Sequence, residues 1–520
     1  MAAALLATSA RSEAADPVSR EWLEGRFKSG VLRWGGDAEG GAPYQLRDPQ
    51  DPGRVIGFEV DLADALAEAI SRRWQLPLRA EFAQYEWVSL DQGLEKGDFD
   101  CVISGYEVTP ERARQFLFSR PYYVYTQQLV VRQGEQGIQS LEDCRNRAVG
   151  TLSGSSADRL LQATGIRDIV GFTGQVEPYL DLELGRLDAV LLDSPIALYY
   201  AGSNPKLEFV GGAFAPGNYS IAVRPADAPL VTVLDEALAE LFTSGRWAEV
   251  LRRWHLWNAQ QAGLVRDADA AGERSGLGFA ADGSPLPAPP VTNAVDLQVI
   301  AASAEQWKFV DYAPLLVRAA GMTVFLSVAS MAVAMALGLG IAVARLYGPA
   351  PVRLAALVYV EFFRGIPLLL LLFFLYFGLA AYGLRLDAVP TAILAFGLNY
   401  AAYEAEIYRA AVLSVPSGQW HAGRALGMPE TMIFRRIVLP QAIRTALPPM
   451  TNDFVALFKD TSLVSVIAVQ ELTKEYLVLS RSSLKFVELG LLTAALYLAM
   501  SVPLGFLSRW LEARWSTNKQ

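Results

Sequence analysis

Cysteine and histidine are almost absent from this 520-residue chain, with two of each. Cys101 and Cys144 leave one disulfide open, although two unrelated buried thiols are the commoner outcome for such a pair. His255 and His421 stand far apart, and no Cys/His spacing suits a metal, so no metal ligand is named. A G-x-x-x-x-G-K-[ST] loop is missing throughout, which excludes ATP binding of the usual kind on this chain. No activated nucleophile or acid/base pair stands out, so no catalytic residue is named. A basic soluble region is lacking too. Residues 1–300 hold 41 acidic against 27 basic side chains, and residues 301–520 hold 13 against 18, giving the net charge of −9. Nucleic-acid binding would need basic residues on the soluble part.

What is present divides by composition, and the length allows two or three domains. Residues 1–19 begin with apolar Ala2–Ala7 and stay small up to Ala15. They read as a signal remnant, but the apolar run is short and no basic residue precedes it, so cleavage is left open. Residues 20–258 alternate short apolar runs (Val31–Gly35, Asp100–Ser104) with helically spaced ones (Phe58–Ser71, Leu234–Leu251). That alternation predicts an α/β domain. Residues 259–296 are rich in Ala, Gly, Asp and Pro and read as a linker.

Residues 297–520 are expected to form an all-α membrane domain. Val317–Ala344, Leu354–Tyr382, Val389–Val412, Leu447–Val469 and Phe486–Leu507 each reach spanning length, the second being interrupted by Arg364, Gly365 and Pro367. Loops 345–353, 409–444 and 508–520 carry most of the Arg and Lys, which assigns them to the cytoplasm. Five spans then put the α/β domain outside, where it can meet solutes.

One cytoplasmic loop is distinctive. Gln419–Gly427 reads QWHAGRALG, with small residues Ala422, Gly423, Ala425 and Gly427 beside Arg424. Small side chains let another protein approach closely; an ordinary basic loop is the plain alternative. The motifs EFFRGIP (Glu361–Pro367), YEAEIYR (Tyr403–Arg409), VPSGQWHAGRALG (Val415–Gly427), RRIVLP (Arg435–Pro440) and KDTSLVSV (Lys459–Val466) widen the view. With them, residues 313–515 resemble permeases of polar amino acid ABC importers of the histidine/glutamine/arginine type. The resemblance implies a coupling helix near 415–430 that docks on a separate ATPase through His421, Ala422, Gly423, Arg424 and Gly427. His421 stands where the family has Glu, and Gly423 where it has Ala.

Residues 30–258 resemble the amino-acid-binding proteins that serve such permeases, two-lobed type II solute-binding folds. The matching pieces are GFEVDL (Gly57–Leu62), DFDCVISGYEVTPER (Asp98–Arg112), FSRPY (Phe118–Tyr122) and GRLDAVLLDSPIA (Gly185–Ala197). Carried over residue by residue, Arg112 and Ser156 hold the ligand's α-carboxylate, with Ser155 beside them. Asp193 takes the α-ammonium, Trp87 packs on the ligand, and Gly105 gives a backbone contact. Such pairing suits a zwitterion, whose burial is costly unless both charges find partners.

Glu107 departs from the family's Thr or Ser and cannot donate when ionised. With Asp37 and Glu39 near the same cleft, it favours a basic amino acid (arginine, lysine or histidine) over glutamine or glutamate. The resemblance further implies two copies of a separate ATPase carrying ATP and Mg, a homodimer of this chain, and an amino acid ligand. It implies multi-pass residence in a bacterial inner membrane, with the binding domain on the periplasmic or extracellular side. An amino-acid-gated channel or receptor is the distant alternative.

Overall fold

The computed structural model describes residues 18–202, 204–270, 307–467, 469–483 and 485–515. The expected signal remnant, up to residue 17, and the linker beyond residue 270 lie outside the described residues. The chain divides into two compact units, the first taking in Arg481–Ser483 as well as the chain up to Lys308, and the second formed by the rest from Phe309.

The first unit is built on ten strands: β1 Val31–Gly36, β2 Leu46–Arg47, β3 Val55–Ile56, β4 Arg79–Gln84, β5 Cys101–Val102, β6 Leu117–Arg132, β7 Ala148–Leu152, β8 Asp168–Phe172, β9 Ala189–Asp193 and β10 Leu207–Val223. Eight join one sheet in the order β4-β1-β5-β10-β6-β9-β7-β8. β1 lies parallel to β4 and β5 at one end, and β7 lies parallel to β8 and β9 at the other. The long strands β6 and β10 pair antiparallel between them, with register shifts such as Val210/Ala213 and Phe214/Gly217. Two parallel α/β halves thus share a bulged antiparallel bridge, since bulges bend and twist strands. The result is two lobes.

Each lobe has its own core. Helix Phe58–Trp74 buries Leu62, Leu66 and Ile70 along one face, with Glu59 and Asp61 in its first turn, where anions favour the helix dipole. In the other lobe Leu129, Val131, Val149, Leu161 and Leu191 pack together with Cys144. Cys101 and Cys144 are both free and buried. The helix expected over Leu234–Leu251 is two, Ala228–Thr243 and Arg246–Arg253, separated at Gly245 with φ 76°, a left-handed conformation that favours glycine.

The linker expected from residue 259 is corrected over its start, because Ala259–Ala270 is a helix. Asn258 Oδ1 accepts from the Gln260 and Gln261 amides at 3.0 and 3.1 Å. The Gln261 side chain then acts as a strand partner for Val124, accepting from its amide at 3.0 Å and donating to its carbonyl at 2.7 Å.

In the second unit, helices Phe309–Tyr347 and Phe486–Trp510 are long and apolar enough to cross a membrane. Ala350–Gly365 and Leu368–Gly378 pass that measure only together and meet at 104°. The span expected over Leu354–Tyr382, with its interruption at Arg364, Gly365 and Pro367, is therefore a bent pair. Pro367, which cannot continue the hydrogen-bond ladder, lies at the break.

Helices Ala388–Leu413 and Leu439–Asp460 stand where the third and fourth spans are expected, and both fall outside that measure of length and hydropathy. The first buries Asn399, Tyr400 and Glu404, and the second contains Pro448 and Pro449. A helix enclosed by others can carry polar groups that lipid would not accept. The enclosure is close: a Cβ added to Gly338 would lie 2.7 Å from Glu404 Cβ and 3.0 Å from the Ala401 carbonyl.

Candidate functional site

The residues singled out in the first unit converge because the parallel strands of both lobes end on one cleft. Asp37 follows β1, Gly105 and Glu107 follow β5, Ser155 and Ser156 follow β7, and Asp193 ends β9. Ligands in α/β sheets bind beyond such carboxyl ends. Trp87, Gly105, Glu107, Ser155 and Asp193 line one cavity of about 20 Å³, together with Tyr44, Gln175 and Tyr219. A cavity of that volume holds about one water, so the lobes are closed.

Asp193 is 7% exposed. Its Oδ1 accepts from Gln127 Nε2 at 2.7 Å, and its Oδ2 accepts from the Tyr219 hydroxyl. Both donors are neutral. Burial, then the charge of Glu107, pushes its carboxyl up to about 8. The Tyr219 hydroxyl also meets that of Tyr44 at 2.7 Å. No sequence motif points to Tyr44, Gln127 or Tyr219. They sit in no matched piece, and only the register of β6 against β9 (Gln127 opposite Asp193) brings one of them in.

Arg112 does not line the cavity. Its guanidinium carbon lies 4.0 Å from the Tyr106 ring centroid and 4.9 Å from that of Trp87, within cation–π reach of both rings. Thr109 Oγ1 accepts from the Arg112 amide at 3.2 Å, just ahead of the short helix Arg112–Gln115. Ser155 caps helix Ser156–Ala163 by accepting from the Asp158 amide.

Glu107 is buried among cations and amides. Both of its oxygens lie 2.9 Å from the Ser156 amide. Arg159 Nη2 stands 3.4 Å and Arg112 Nη1 3.8 Å from its Oε2. Burial raises its carboxyl, with the Ser156 amide the strongest opposing influence. Ser156 Oγ accepts from Arg159 Nη2 at 3.1 Å.

Asp37 and Gly105 have work of their own. Asp37 Oδ2 accepts from the Trp87 amide at 2.8 Å, and its Oδ1 accepts from Gln84 Nε2 and the Glu39 amide at 2.9 Å. It positions Trp87. The Gly105 amide donates to Glu59 Oε1 at 2.6 Å. Gly105 has φ 56°, and a Cβ there would stand 3.0 Å from Tyr44. Glu59, which also accepts from Tyr122 and Gln45, is pushed by burial up to about 7.

In the second unit, Ser417–Ala425 is a short helix that leaves His421, Ala422 and Arg424 exposed. Arg424 Nε bonds Glu430 at 2.7 Å. Gly423 is a correction: it faces inward, where a Cβ would stand 2.7 Å from Ile433 Cγ1. Its smallness serves the packing of the loop on helix Glu430–Ile433 rather than an outside partner. Gly427 is exposed, with φ 71° and no atom within 4 Å of an added Cβ. Among the described residues no cluster of His, Cys, Asp or Glu suits a metal ion.

A two-lobed cleft domain ahead of a helical membrane unit is the architecture of a solute-capturing permease. The chain belongs to the binding-protein-dependent transport system inner membrane components, matched over residues 336–517, and carries ahead of that part a domain of the bacterial extracellular solute-binding proteins, family 3, matched over residues 32–256. It is 38% identical over 202 residues to a probable amino-acid ABC transporter permease of Bacillus subtilis (strain 168), covering 38% of this chain and 89% of that protein. It is 38% identical over 203 residues to the glutamine transport system permease of Escherichia coli (strain K12), covering 39% of this chain and 93% of that protein. The L-cystine transport system permease of B. subtilis is 44% identical over 153 residues, 29% of this chain and 65% of that protein. Among solved structures, an ancestral arginine-binding protein bound to glutamine is 31% identical with TM-score 0.40, covering 44% of this chain and 99% of that chain.

Proposed function

We propose that this chain is the membrane subunit of an ATP-driven importer of small solutes of the polar amino acid class that carry a cationic group, as arginine, lysine and histidine do. The first unit captures the solute on the outer face of a bacterial inner membrane and delivers it to the helices. Energy comes from a separate ATPase, in two copies, on the cytoplasmic helix Ser417–Ala425, and two copies of this chain form the pathway. One observation carries the need for an ammonium group on the ligand: Asp193 is buried in the cleft and receives only neutral donors. A buried carboxylate without a cation is costly, and a cationic ligand supplies one. Glutamine, named for one relative, supports a second reading in which a neutral side chain is taken.

The test uses the tagged full chain, purified with the ATPase that accompanies it and placed in lipid nanodiscs. Compounds bearing arginine, lysine or histidine side chains should raise ATP hydrolysis several-fold. Stimulation by glutamine alone would favour the second reading. Purification without any ATPase, or hydrolysis indifferent to every solute, would overturn the importer.

A further inference from the structure

We propose that the cleft selects cations that carry no carboxylate beside their ammonium group, because the chain fills the carboxylate position with its own Glu107. This rests on the import reading and moves its substrate class from cationic amino acids to amines such as decarboxylated basic amino acids.

The position is defined by what surrounds it. The Ser156 amide, at the N-terminus of helix Ser156–Ala163, gives its hydrogen to the Glu107 carboxylate, 2.9 Å from each oxygen. Arg159 and Arg112 approach at 3.4 and 3.8 Å. Helix N-termini and guanidinium groups recognise carboxylates, and one already occupies this set. Glu107 is 1% exposed.

Nor is it a side chain on a loose loop. Glu107 forms an antiparallel bridge with Tyr219. The Ser220 amide donates to the Tyr106 carbonyl at 3.1 Å, and the Val108 amide donates to the Asn218 carbonyl at 3.2 Å. The backbone on both sides of Glu107 is thereby tied to β10, and its carboxylate is held where an incoming carboxylate would have to sit.

Charge matching gives the rest. Glu107 is matched by two guanidinium groups and a helix terminus, whereas Asp193 makes no ion pair among the described residues and receives Gln127 and Tyr219 alone. A zwitterion would bring an ammonium for Asp193 but also a carboxylate whose donors are spent, beside a like charge. An amine brings only the ammonium. The cavity is also lined by Trp87, Tyr44, Tyr219, Leu192 and Ile196, with Ser104, Ser155 and Gln175 its uncharged polar members; aromatic faces attract cations while the apolar groups accept methylenes.

The experiment measures matched pairs differing only by a carboxylate: arginine and agmatine, lysine and cadaverine, histidine and histamine. Calorimetry on the full chain in lipid nanodiscs gives both affinities of each pair. The amine of the best-bound pair should bind at least tenfold more tightly, about 1.4 kcal/mol. Glu107→Thr should shift that ratio toward the amino acid by tenfold or more. Glu107→Gln, which keeps the side chain's length and an acceptor for the Ser156 amide, should shift it the same way and serves if the Thr variant does not fold. Tighter binding of the amino acid in every pair, or a ratio unmoved by both variants, overturns this proposal and leaves the importer standing. Failure of every member of every pair to bind overturns the cationic substrate class as well.

Discussion

Capture of a cation by Asp193 should release a proton, and the affinity should therefore climb steeply with pH. In the empty cleft the Asp193 carboxyl is pushed up to about 8 by burial and by Glu107. Below that pH it is mostly protonated, while the cation binds the ionised form. The sign follows: acid competes with ligand, and raising pH removes the competitor until the group is ionised without help. Apparent affinity should be weaker by roughly tenfold at pH 7 and roughly a hundredfold at pH 6 than on the plateau above pH 9. Calorimetry with agmatine in two buffers of different ionisation enthalpy reads the proton directly. About one should leave per ligand near pH 6 and almost none at pH 9. The titratable groups that feel the Asp193 charge are Glu107 and the tyrosines Tyr44, Tyr123, Tyr125, Tyr179 and Tyr219. The tyrosines are held neutral, their hydroxyls pushed far up by burial, which leaves Glu107 as the other candidate. Asp193→Asn should flatten the profile and weaken binding most at high pH. A flat profile in the wild-type protein, or proton release that survives Asp193→Asn, would refute the assignment.

The same carboxyl has a stability consequence of known sign. A pKa raised on folding contributes stability that is present at low pH and lost as pH rises through the folded value. The ligand-free protein should melt at a lower temperature at pH 9 than at pH 6, read by calorimetric scanning, with the loss reduced in Asp193→Asn. Glu59→Ala strands the Gly105 amide, the Tyr122 hydroxyl and the Gln45 amide. At about 1–3 kcal/mol for each unsatisfied buried group, hydrogen exchange of the first lobe should accelerate by at least a hundredfold, and an unchanged rate would contradict the network. Gly423→Val drives a side chain into Ile433. It should abolish solute-stimulated ATP hydrolysis while the cleft keeps its affinity, and normal stimulation would remove the coupling role of helix Ser417–Ala425.

The lobes and the convergence of Asp193, Ser156, Glu107 and Trp87 were legible from alternating patterns and family motifs, because strand ends and helix caps are local devices. What Glu107 does was not. Its departure from Thr was visible, but its partner, the Ser156 amide, belongs to the other lobe, and only closure brings the two together. Asp37 lines the same part of the cleft, beside Tyr44, Trp87 and Gln175, but its hydrogen-bond partners were not legible either. A carboxylate near a cleft looks like a ligand group until its oxygens are found committed to the Trp87 amide and Gln84.

In the membrane unit, the span expected over Val389–Val412 is the helix Ala388–Leu413, and what the pattern did not reveal is that it encloses Glu404 and Asn399. Hydropathy reports what faces lipid, not what faces another helix. The helix at Ala259–Ala270 was read as linker from its Ala, Gly and Asp content. The signal overlooked was Asn258, a capping residue, followed by Gln261, whose strand-like pairing with Val124 no local pattern reveals.

Accumulation of labelled agmatine and arginine in sealed proteoliposomes tests the importer directly, with the full chain and its accompanying ATPase supplied with ATP on the cytoplasmic side. The account predicts that one or both accumulate above the outside concentration only when ATP is hydrolysed, with agmatine ahead, and that Asp193→Asn abolishes accumulation of both. Equilibration without ATP, as a solute-gated channel would give, or uptake indifferent to Asp193, would contradict it.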